Sequence, residues 1–174
     1  MSLFQRLRGI AGTTSSAADG KDVVADQPVE RRQRKRINAR EGTRVLIIDD
    51  SPTIVAALKK ILRSQKYEVL EAGDAESGLE IALAQQPELV FLDIVLPGMN
   101  GFAALRKMRR DPATMFVPII MISGNEQATE QFYANRIGAD DFMKKPFNRY
   151  EVFARIEQLL DAERIPRRRA AAQP

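Results

Sequence analysis

The chain contains no cysteine and no histidine. Without them, metal sites built on thiolate or imidazole, thiol catalysis, Ser-His-Asp triads and phosphorylation on a histidine of this chain are all excluded. The missing cysteines also speak against a small disulfide-stapled extracellular domain. No apolar run approaches the roughly 20 residues that cross a bilayer. Residues 1–10 have a broken apolar pattern and no small-residue cleavage site, so no secretory signal is read and a cytoplasmic location is expected.

What is present is ordinary for a globular chain: 174 residues, 44% apolar and 29% charged, a length that fits one domain. The net charge of +4 is unevenly distributed. Residues 1–44 carry +5, residues 45–164 carry −4 and residues 165–174 carry +3. The body is mildly acidic and the basic character belongs to its flanks, which weakens any general inference of nucleic-acid binding.

Residues 1–11 place Leu3, Phe4, Leu7 and Ile10 at helical spacing, a short amphipathic start. Residues 12–29 are small, polar and aperiodic, and read as a flexible linker. Residues 30–44 are a basic run. The texture changes at Arg44. Residues 44–49 (RVLIID), 67–72, 89–93 (LVFLD), 117–123 (VPIIMIS) and 141–145 read as strands, several of them apolar on both faces. Helical patterns alternate with them. The first starts near Pro52, which suits a first helical turn, and the second is capped by Asp74. Others cover residues 101–110, residues 126–137 with Phe132, Tyr133 and Ile137 at helical spacing, and residues 148–160. This alternation predicts an α/β domain, a doubly wound five-stranded parallel sheet with helices on both faces.

In such sheets chemistry sits beyond the carboxyl ends of the strands. There the sequence places Asp49 and Asp50, Asp93, Ser123, and Lys145 followed by Pro146. Three crowded carboxylates repel one another. One divalent cation together with the Lys145 ammonium would cancel their charge, and an all-oxygen site with room for water suits Mg²⁺. A carboxylate beside such a cation can act as a nucleophile toward phosphorus, giving an aspartyl phosphate.

The segments VLIIDDSP, LVFLDIVLPGMNGF, PIIMISGN and GADDFMKKPF resemble the response-regulator receiver domain of two-component signalling, the CheY-like family with a flavodoxin-like fold. The resemblance covers about residues 44–163, leaving a flexible basic arm over 1–43 and a basic tail over 164–174. It implies that Asp93 is the phosphoacceptor. Asp50 would be the direct Mg²⁺ ligand and Asp49 its partner acid, with the Val95 backbone carbonyl completing the metal site. It further implies that Ser123 and Lys145 bind the phosphoryl group, that Lys145-Pro146 is a cis peptide, and that Phe142 is the switch aromatic whose rotamer follows Ser123. Ser at 123 and Phe at 142 are common variants, and Phe142 lacks a hydroxyl for output contacts. The segments NGFAAL and LDIVLPGMNG resemble more narrowly the single-domain receivers of type IV pilus, twitching-motility systems.

The expected protein is therefore a stand-alone response regulator and not an enzyme beyond limited autophosphorylation and autodephosphorylation. Its donor would be a histidine kinase or histidine phosphotransfer protein. Its output would be a protein bound on the face made by the helix over 126–137, the fifth strand and the last helix, a face through which receivers also form homodimers. Lys144 is expected in solvent. The basic run Arg31-Arg32-Gln33-Arg34-Lys35-Arg36 reads first as a solvated lead-in. Nucleic acid has the right charge but no interleaved aromatic and no helix-turn-helix, and an anionic membrane would use the amphipathic start as well. Arg31-Arg32 with Arg36 resembles half of the arginine motif of PilZ domains, which bind a cyclic dinucleotide, but the other half is missing.

Overall fold

The apolar run at 44–49 forms the second strand of a five-stranded parallel sheet in the computed structural model. The structure describes residues 36–124 and 137–168. Its strands are β1 (Arg44–Ile48), β2 (Glu68–Ala72), β3 (Leu89–Asp93), β4 (Ile119–Ser123) and β5 (Asp141–Lys144), in the order β2-β1-β3-β4-β5. The helices are α1 (Pro52–Arg63), α2 (Ala75–Gln85), α3 (Gly101–Arg110) and α4 (Arg149–Glu157). The doubly wound sheet expected from the alternating pattern is present. The helix expected over 126–137, with Phe132 and Tyr133, falls almost wholly outside the described residues, as do residues 1–35 and 169–174. Among the described residues no helix is long and apolar enough to cross a membrane.

Successive strand residues point to opposite faces, so each central strand feeds two cores. Val45, Ile47, Phe91, Ile120 and Ile122 pack with Leu58 and Leu62 of α1 and with Val152, Phe153 and Ile156 of α4. Leu46, Ile48, Val90, Leu92 and Met121 pack with Ala82 of α2 and with Ala104, Leu105 and Met108 of α3. Each fully buried Leu or Phe stabilises the fold by about 1.5–3 kcal/mol. The continuous apolar runs of β1, β3 and β4 are thus explained by burial on both sides. The Asp74 carboxylate accepts the Ser77 N–H at 2.8 Å, as its capping role requires. Asn100 and Asn148 cap α3 and α4 in the same way, each at 2.9 Å.

Register decides where the polar strand ends meet. Ile48 pairs with Ala72 and with Leu92, Asp93 with Ile122, and Ser123 with Lys144. All five carboxyl ends therefore share one rim. Gly101 controls the approach to that rim: a Cβ there would overlap the carbonyl oxygen of Asp93, so only glycine lets α3 start against the end of β3.

Several boundaries differ from the sequence pattern. β4 begins at Ile119, because the Val117 N–H turns back to Thr114 and its carbonyl accepts from Arg109. The last helix stops at Glu157; Leu159 and Leu160 form a turn, and Leu160 then bridges Pro166 antiparallel. Residues 36–43, expected in the arm, are part of the folded body: Ala39 and Thr43 are buried. The Ala39 N–H donates to the Tyr67 hydroxyl at 2.9 Å, Asn38 Nδ2 donates to Gln65 Oε1 at 2.9 Å, and Arg40 pairs with Glu88. Residues 164–168, assigned to the tail, are also engaged: Arg167 binds Asp161 at 2.8 Å and Arg168 binds the Met115 carbonyl at 3.2 Å.

Candidate functional site

Each side chain of the site is delivered by a strand end. Asp49 follows β1 and is buried, while the neighbouring Asp50 is exposed. The Asp49 Oδ1 accepts the Ser51 N–H at 2.9 Å, which fixes the turn into α1. Asp93 ends β3 and is 4% exposed. Lys145 follows β5, and its N–H donates to the Ser123 carbonyl at 2.7 Å, tying the lysine backbone to the end of β4. The Lys145–Pro146 peptide is cis. From that anchor the Lys145 Nζ lies 2.8 Å from Oδ2 of Asp49 and 2.8 Å from Oδ2 of Asp93. The contact to Asp93 is a hydrogen bond. Asp49 Oδ2 is buried and meets the same ammonium, so Lys145 bridges the two acids.

Asp50, Asp93, Val95, Gly124 and Lys145 border an open cleft of about 430 Å³. Val95 is exposed, and its N–H points to Asp93 Oδ1 at 3.3 Å. Ser123 is fully buried at the same rim. Phe142 lies half-buried on β5 opposite Met121, against the layer that holds α2 and α3, and Ile137 packs into the same layer. Lys144 is exposed. The structure thus brings Asp49, Asp50, Asp93 and Lys145 into one cluster, with Ser123 and Val95 on its border.

Electrostatics favour a further cation there. Burial pushes the Asp93 carboxyl above its ordinary range; the Lys145 hydrogen bond opposes this and the Asp49 charge adds to it. Burial works to lower the Lys145 ammonium, but the two carboxylates outweigh it and raise it overall. One lysine does not neutralise three acids. Carboxylate oxygens of Asp49, Asp50 and Asp93 lie within 4.8 Å of one another. Three clustered carboxylates with only one ammonium among them are a donor set that fits a hard divalent cation such as Mg²⁺.

A second buried ion network was not read from the sequence. Arg109 of α3 donates from Nη2 to Asp140 Oδ2 at 2.8 Å, from Nε to the Gly138 carbonyl at 2.7 Å and from Nη1 to the Val117 carbonyl at 2.8 Å. Asp140 Oδ2 also accepts the Ile119 N–H at 2.8 Å, and Arg168 approaches its other oxygen at 3.6 Å. One signal was available: Arg109 stands four residues after Leu105 on the apolar face of α3, where a charge needs a buried partner.

The profile of the response regulator receiver domain matches residues 45–157. Protein PilH of Pseudomonas aeruginosa is 35% identical over 117 residues, covering 67% of this chain and 97% of PilH. The structure of chemotaxis protein CheY4 of Vibrio cholerae superposes with a TM-score of 0.65 at 26% identity, covering 71% of this chain and 100% of that one. The receiver domain of a Pseudomonas aeruginosa sensor histidine kinase, whose structure holds a magnesium ion in its active-site cleft, superposes with a TM-score of 0.61 at 29% identity, covering 67% and 95%. The fold agrees with these comparisons, and the chain belongs to the response-regulator receiver family of two-component signalling.

Proposed function

We propose that the protein is a phosphorylation switch whose acceptor is Asp93. The observation that carries this reading is the Lys145 ammonium held 2.8 Å from the carboxylates of both Asp49 and Asp93 at the open rim. A carboxylate oxygen of Asp93 attacks phosphorus, forming a P–O bond. The P–N bond of a phosphohistidine, or the P–O bond of a small acyl phosphate, breaks, and the leaving group keeps the electron pair. A departing imidazole takes its proton from solvent. Lys145 stabilises the charge that gathers on the phosphoryl oxygens. Asp49, Asp50, Asp93 and the Val95 carbonyl would hold Mg²⁺, which when bound offsets phosphoryl and carboxylate charge. The exposed Val95 side chain stands at the mouth of the cleft, where it hinders an attacking water and lengthens the phosphorylated lifetime.

The Ser123 hydroxyl and Lys145 then bind the phosphoryl group, and Phe142 repacks with Ser123. This biases the face built from β5 and α4, changing affinity for a protein partner or a second copy. The donor is a histidine kinase or histidine phosphotransfer protein in the cytoplasm. The match to PilH along nearly its whole length supports a role in type IV pilus or twitching-motility signalling.

Intact-mass spectrometry after incubation with Mg²⁺ and acetyl phosphate tests the reading. One phosphoryl adduct is expected on the wild type, lost on chelation and absent from Asp93→Asn. A folded wild type that takes no adduct would overturn it.

A further inference from the structure

At the start of α4, two arginines from distant parts of the chain meet on one aromatic ring. Arg36 lies 5.4 Å and Arg149 5.5 Å from the centroid of Phe153, and Arg36 also lies 5.0 Å from that of Tyr150. Stacking occupies the guanidinium faces and leaves their in-plane N–H donors available. Among the described residues neither arginine has a carboxylate within ion-pair distance. Glu151, the acid in the first turn of α4, approaches Arg155 at 3.9 Å instead. Apolar surface is exposed beside this charge: Tyr150 is 70% exposed, and Ile37, next in the chain to Arg36, is 43% exposed. Three residues after Arg36, Ala39 is buried and its N–H is held by Tyr67, so the patch belongs to the folded body.

We propose that Arg36, Ile37, Arg149 and Tyr150 form a docking surface for an anionic lipid bilayer. The charge fits, because guanidiniums without acid partners bind phosphate headgroups. The sequence carries that charge outward from the patch: Arg31, Arg32, Arg34 and Lys35 precede Arg36, so five of the six positions over 31–36 are basic. The apolar groups fit as well. A bilayer interface takes an exposed isoleucine out of water and seats a tyrosine ring at the headgroup level. A nucleic-acid duplex would satisfy the arginines through its phosphates and leave Ile37 with nothing to bury against. A folded protein partner would end at a defined edge. A run of like charge that continues past the patch, preceded by the apolar stripe Leu3, Phe4, Leu7 and Ile10, suits a surface that is extended and uniformly negative. A basic cluster and an apolar one are each weak anchors, and together they give reversible membrane binding. Docking would confine the receiver to a membrane surface and raise its effective concentration toward any partner held there. It does not depend on the phosphoacceptor reading of Asp93.

The chain has no tryptophan, so Tyr150→Trp puts a single fluorescent reporter in the patch of an otherwise unaltered full chain. It is mixed with vesicles of phosphatidylcholine alone and with vesicles of equal parts phosphatidylcholine and phosphatidylglycerol. The chain should sediment with the anionic vesicles only, and less so as salt rises. Its tryptophan emission should shift to the blue and be quenched by brominated lipid. Beside the wild type, Arg36→Gln/Arg149→Gln should bind the anionic vesicles about 25-fold more weakly, at about fivefold for each arginine near such a surface. No sedimentation with anionic vesicles at low salt would overturn the proposal, whether or not a DNA duplex binds. Equal sedimentation with both kinds of vesicle, or equal binding by wild type and double variant, would do the same. So would binding that leaves the tryptophan unshifted, since the chain would then be held through residues 1–35 and not through the patch. Where the double variant does not fold, the tryptophan readout decides alone.

Discussion

At the amino ends of β4 and β5, Arg109 spends its donors on Asp140 and on the carbonyls of Gly138 and Val117, while Asp140 also takes the Ile119 N–H. At the carboxyl ends of the same sheet, three carboxylates face one ammonium across an open cleft. Both ends bury carboxylates beside cations. One end is closed and its acid is paired with arginines, and the other keeps unbalanced charge and access to solvent. A network that only has to hold the fold pairs its charges; a site that has to receive an ion and a phosphoryl group keeps an excess.

Breaking the closed end should cost the most stability. Asp140→Ala leaves Arg109 buried without its acid and should lower the unfolding free energy in urea by about 3–5 kcal/mol. The burial that already pushes Arg109 down to about 10 is then uncompensated. Any folded fraction should still take the phosphoryl adduct, which intact mass will report. A loss below about 1 kcal/mol would mean that the network does not hold the fold.

Filling the unbalanced end should have the next largest effect. At a hundredfold excess over its dissociation constant, Mg²⁺ should stabilise the wild type by about 2.7 kcal/mol. Thermal unfolding of Asp93→Asn should respond much less, and Asp140→Ala should respond like wild type. An equal response in Asp93→Asn would place the ion elsewhere.

The smallest effect is the electrostatic cost of Asp93 itself. Its folded pKa is raised, mainly by burial, so the folded state binds the proton more tightly than the unfolded state. Stability from this group is therefore gained as pH falls through the raised value and is reduced at neutral pH. Without Mg²⁺, Asp93→Asn should be slightly more stable than wild type at pH 7, and the difference should vanish as the carboxyl of the wild type is protonated. Lys145 does not blur the comparison, because its raised pKa keeps it charged until alkaline pH. A variant less stable at pH 7 would show that the Lys145 hydrogen bond outweighs burial.

The sequence alone determined the sheet, because unbroken apolar runs such as LVFLD require burial on two faces and the parallel, helix-covered sheet supplies it. It also pointed to the rim, since strands ending in Asp49, Asp93, Ser123 and Lys145 must bring those groups together once the strands are parallel and in register. Local periodicity reports only which face of an element is buried. It does not say that Arg109 would find Asp140, 31 residues on, or that Gly101 had to admit the Asp93 carbonyl. Nor does it show that residues 36–43, polar and basic in composition, would be held by Tyr67 and Glu88. Those are meetings between distant segments, and their energy exists only after the chain has folded, so only the tertiary structure decided them.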